Sequence, residues 1–104
     1  MKTISTREYP HDVERVFDAL LSILDKSYNI NSTDKTVRCV EVSLGMSLLS
    51  WGETFEVIVV AQNNGSAVRV RAKPRIFWNV TSNVEGEANK LLDLLEEDLD
   101  QTSA

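Results

Sequence analysis

Cysteine and histidine are nearly missing from this chain, with Cys39 and His11 each standing alone. A lone cysteine excludes an internal disulfide and suits a reducing compartment, so a cytoplasmic location is expected. A structural zinc site needs a full shell of Cys and His ligands, and two soft ligands cannot supply it. Any histidine-based triad would have to use His11, which sits beside Pro10 at the start of an expected helix. We therefore expect no metal, no histidine chemistry and no enzyme. Glycine is sparse, and Gly45, Gly52, Gly65 and Gly86 are too far apart for a phosphate loop, so no cofactor is expected. The run Glu96, Glu97, Asp98 and Asp100 lacks the Gly-centred pattern of a calcium loop and reads as a solvated helix face. Cys39 itself reads as a small packing residue.

Positive charge is also in deficit. Eleven Lys and Arg face sixteen Asp and Glu, giving a net charge of −5. That balance argues against a nucleic-acid partner. The first residues carry no apolar run of signal-peptide length, and no stretch is long and apolar enough for a membrane span, so no membrane partner is expected.

What remains is ordinary globular material, 42% hydrophobic and 26% charged over 104 residues. It fits one domain over 1–104 with a modest core and a frayed tail at about 101–104. Residues 2–8 read as a strand ended by Tyr9-Pro10, with Pro10 in the first turn of the following helix. Val13, Val16, Phe17, Leu20 and Leu24 recur at helical spacing, and that helix should stop near 25–27. A short strand at 28–32 and a turn at 31–34 follow. Residues 36–44 form the next strand, whose inward set is either Val40, Val42 and Leu44 or Val37 and Cys39. Segments 54–61 and 67–73 form a hairpin around Asn64-Gly65, a pair that favours a type I′ turn. That turn sets Val59 opposite Val70, Val57 opposite Ala72, Ala61 opposite Val68 and Glu56 opposite Lys73. A final helix spans 83–99. Ser82 and Glu85 have capping-box spacing, and Val84, Ala88, Leu91, Leu92, Leu95 and Leu99 form its stripe.

The expected architecture is α+β. An antiparallel sheet of four to five strands carries an N-terminal and a C-terminal helix on one face, in the order β-α-(β)-β-β-β-α. The other face carries Arg69, Arg71 and Lys73, with Ile58 and Val60 lacking an obvious cover. Element order, the lead-in Tyr9-Pro10-His11-Asp12-Val13 and the closing helix resemble a shortened helix-grip fold, the START-like superfamily that includes polyketide cyclase-like proteins. The stretch Ser50-Trp51-Gly52-Glu53-Thr54, with the hairpin and Asn83-Val84-Glu85, is similar to small uncharacterised bacterial proteins. The resemblance implies a bacterial binding domain with a ligand space between sheet and final helix. It carries over no functional residue.

Two connections are more apolar than loops usually are. Residues 45–52 hold Met46, Leu48, Leu49 and Trp51, and residues 76–80 hold Ile76, Phe77 and Trp78. Antiparallel pairing of their flanking strands places both at one end of the sheet. This end could plug the core, bind another protein or a second copy, or form the mouth of a pocket. The expected function is a small non-catalytic binding or interaction domain that uses this end. The alternative is a carrier of a small apolar ligand.

Overall fold

The computed structural model of the chain describes residues 2–43, 54–73 and 83–102. Its elements are β1 (Lys2–Tyr9), α1 (Val13–Ser27), β2 (Asn29–Asp34), β3 (Cys39–Ser43), β4 (Thr54–Gln62), β5 (Gly65–Lys73) and α2 (Asn83–Thr102). The architecture is the expected α+β one. All strand pairs are antiparallel, in the spatial order β1-β5-β4-β3-β2. β1 and β2 thus occupy opposite edges, and α1 joins them by crossing the inner face.

Period-two alternation decides the two faces of the sheet. Val40, Val42, Phe55, Val57, Val59, Val68 and Val70 are buried against the helices. Val16, Phe17, Leu20 and Leu24 of α1 meet them, together with Ala19 and Ile23. From α2 come Ala88, Leu91, Leu92, Leu95 and Leu99, each at most 1% exposed. The stripe expected from the spacing is the buried stripe. Val84 of that stripe, Ser82 of the capping box and Leu44 of the third strand lie outside the residues or side chains described. The alternative for β3 resolves in favour of Val40 and Val42, while Val37 is exposed.

Pro10 is not in the first turn of α1. The helix begins at Val13 because Asp12 caps it, its carboxylate accepting from the Glu14 N–H at 3.1 Å. Glu14 in the first turn and Lys26 in the last complement the helix dipole. The first turn between strands also moves. β2 continues through the segment expected to bend, and the reversal falls at 35–38. Asp34 sets it there, its Oδ1 accepting from the N–H of Thr36 at 3.0 Å. Arg38 closes this turn at φ 55°. Its carbonyl accepts from Val59 N–H at 3.0 Å, and its guanidinium holds the Glu14 carboxylate. The turn is thereby tied to β4 and to the start of α1.

The β4–β5 hairpin departs from its expected register. Gln62 pairs with Gly65, so the turn residues are Asn63 and Asn64. Val59 faces Val68, Val57 faces Val70, Ala61 faces Ser66 and Glu56 faces Arg71. The pairing has shifted by two residues, so the inward and outward sets survive intact. Gly65 has a positive φ of 151°, as expected, but outside the turn. The cause is tertiary. A Cβ on Gly65 would stand 3.0 Å from the Pro10 Cα and would collide outright with the Tyr9 carbonyl oxygen, so β1 can close on β5 only where that residue is glycine. Ser66, 1% exposed, then donates its hydroxyl to the His11 carbonyl at 2.5 Å.

Gly86, in α2, shows the opposite situation, since a Cβ there would meet nothing within 4 Å. Gly65→Ala should therefore lower unfolding free energy by roughly 2–4 kcal/mol. Gly86→Ala should raise it by roughly 0.5–1 kcal/mol. Urea denaturation of the two variants checks both signs, and equal effects would contradict this account of Gly65.

Candidate functional site

The seven residues expected to form the apolar end, Met46, Leu48, Leu49, Trp51, Ile76, Phe77 and Trp78, lie outside the described residues. Their attachment points are described. Ser43 pairs with Thr54, and Thr54 pairs with Lys73, so the last residue of β3, the first of β4 and the last of β5 form one row across the sheet. Both apolar segments join the sheet at that row.

A second region is the β1–α2 contact, which composition and periodicity did not single out. β1 meets α2 through polar side chains. Ser5 donates to the Asn89 side-chain oxygen at 2.9 Å. Arg7 reaches Asp93 at 2.6 Å and Glu96 at 3.3 Å. The buried Tyr9 hydroxyl donates to the Leu92 carbonyl at 2.8 Å. The Asp93 hydrogen bond is the main reason the Arg7 pKa is raised. Burial is the main reason the Tyr9 pKa is raised. Two acids on α2, Asp93 and Glu96, the latter from the run read as a solvated face, therefore anchor the helix to the edge strand. Asp93 and Glu96 remain more than half exposed, so these ion pairs are worth at most about 1 kcal/mol each. A periodicity count could not find this cluster, because it records which residues are apolar and not which polar ones meet.

An open hollow of about 670 Å³ lies at the tip of the β4–β5 hairpin, lined by Glu8, Tyr9, Pro10 and residues 62–66. Gln62, Asn63 and Asn64 offer it amides and Glu8 a carboxylate, while the Ser66 hydroxyl donates to the His11 carbonyl. His11, next in the chain, is used through its backbone carbonyl.

The outer face of the sheet is the third region. Arg71 bonds Glu56 at 3.3 Å, and its Nε is buried without a hydrogen-bond partner. Cys39 is half-buried on this face and not in the core. Burial pushes its thiol pKa up to about 11, and the neighbouring Glu56, Asp34 and Glu41 add to the shift. No group of three or more His, Cys, Asp or Glu able to hold a metal ion occurs among the described residues. No helix among them is long and apolar enough to cross a membrane. No protein-family model matches the chain, and comparison with curated proteins gives no match.

Raising a thiol pKa in the folded state favours its neutral form. That contribution to stability is absent below the ordinary thiol pKa, where both states are neutral. As pH rises past that value the unfolded thiol ionises first, so the folded state is penalised progressively until about pH 11. Alkylation of Cys39 by iodoacetamide should keep accelerating between pH 9 and 10, where an unperturbed thiol of pKa about 8.5 has nearly levelled off. A plateau near the ordinary thiol pKa would contradict the burial of Cys39 beside these carboxylates.

Proposed function

We propose that this chain is a non-catalytic binding domain of helix-grip-like build, working in the bacterial cytoplasm and engaging a partner protein through the apolar end of its sheet. The observation that carries this reading is the row Ser43–Thr54–Lys73, from which both apolar segments leave. Tryptophan is a favoured anchor in protein interfaces, and each segment holds one, Trp51 and Trp78. The strand order β1-β5-β4-β3-β2, with a long final helix on the inner face, supports the helix-grip resemblance. The raised thiol pKa of Cys39 supports a non-catalytic role. The net charge of −5 speaks against a nucleic-acid partner.

The carrier reading gains less support. Ala88, Leu91, Leu92, Leu95 and Leu99 fill the space between α2 and the sheet along their stretch, with essentially no exposed surface.

A docking end and a core plug differ in what tryptophan removal costs. Trp51→Ala and Trp78→Ala should each change unfolding free energy by less than about 0.5 kcal/mol, as surface substitutions do. Iodide should quench the emission of the dilute wild-type protein. A plug would instead lose roughly 3–5 kcal/mol per substitution and resist iodide. A saturable emission shift on adding fatty-acid probes would favour the carrier.

A further inference from the structure

Both helices pack on one face of the sheet, and no described element covers the other. Charge on this uncovered face is sorted by strand. One outward row reads Arg69, Ile58, Cys39, Asp34 from β5 to β2, and the next reads Arg71, Glu56, Glu41, Ser32. β5 carries the basic Arg69 and Arg71, and β3 and β2 carry the acidic Glu41 and Asp34. Between them β4 carries the half-buried Ile58 and Val60 with Glu56, and the edge strand β1 adds Thr6 and the exposed Glu8 beside β5.

We propose that a second copy of this chain covers the outer face, packed sheet to sheet about a two-fold axis running along β4. Rotation about that axis exchanges the flanks. β5 of each copy then lies over β3 of the other, with Arg71 level with Glu41, and Arg69 between Glu41 on that strand and Asp34 on the neighbouring β2. Ile58 and Val60 stack on their own counterparts at the centre. A two-fold axis across the strands would instead set β5 on β5, arginine against arginine, so the charge pattern selects the lengthwise one. Glu56 falls near the axis, but it is paired with Arg71 and its side chain is 19% exposed. Near-parallel stacking of sheet faces is a common packing of twisted sheets, and a self-complementary patch is what a two-fold contact requires. Edge pairing is the competing route to association. Both edge strands carry an irregularity that opposes it, between Thr3 and Ser5 in β1 and between Ile30 and Ser32 in β2. None of the residues invoked for this contact belongs to the apolar end.

Sedimentation equilibrium of the full chain over a wide concentration range at low salt tests the proposal, using wild type, Arg69→Glu, Glu41→Lys and an equimolar mixture of the two variants. Wild type should approach twice the chain mass, with weaker association as salt screens the flanks. Each reversal alone should weaken the dimer roughly tenfold or more. The mixture should recover it, since the carboxylate introduced at position 69 of one variant then meets the ammonium introduced at position 41 of the other. Ile58→Ser, which leaves every charge in place, should also weaken it and decides the matter if a charge variant fails to fold by circular dichroism. A wild type that stays monomeric at its highest soluble concentration overturns the proposal. So does a dimer indifferent to the reversals and to Ile58→Ser, or a mixture that dimerises no better than its components.

Discussion

β1 reaches its place beside β5 only because Gly65 carries no side chain where the Tyr9 carbonyl passes. That close approach joins residues far apart in sequence, and the loop-closure entropy it costs must be offset by what the strand brings with it. The offset comes from several contacts made together. The strand adds a ladder of backbone hydrogen bonds to β5. The Ser66 hydroxyl reaches the His11 carbonyl, and the buried Tyr9 hydroxyl reaches the Leu92 carbonyl in α2. Arg7 adds its ion pairs to Asp93 and Glu96. The edge strand is therefore a strap between the sheet and the final helix.

This arrangement closes one face of the sheet and leaves the other without a described element over it. With β1 bonded to α2 and α1 crossing the same face, the inner side of the sheet is consumed by the core. The outer face carries no described element, and Ser43, Thr54 and Lys73 form one row at the end of the sheet. Among the described residues, packing leaves the outer face of the sheet uncovered, and charge on that face is sorted by strand.

Element order and the identity of the buried stripes were legible in the sequence because burial imposes a period, and a period survives without any knowledge of partners. Val16, Leu20, Leu91 and Leu95 show this directly. Register was less legible. Asn64-Gly65 is locally the best turn, yet Gly65 is held outside it by a contact with β1 that no local rule contains. The turn after β2 depended on one carboxylate, Asp34, capping backbone N–H groups in preference to the asparagine and serine before it. Arg7 and Tyr9 were invisible for the same reason: their roles exist only once β1 lies against α2.

The strap is tested most directly by native-state hydrogen exchange on wild type and Tyr9→Phe. The account predicts that amides of β1, β5 and the middle of α2 open together in one cooperative unit. Loss of the Tyr9 hydroxyl should lower protection in all three by the same amount, about 1 kcal/mol. A loss confined to the residues around Leu92, with β1 and β5 unaffected, would contradict it.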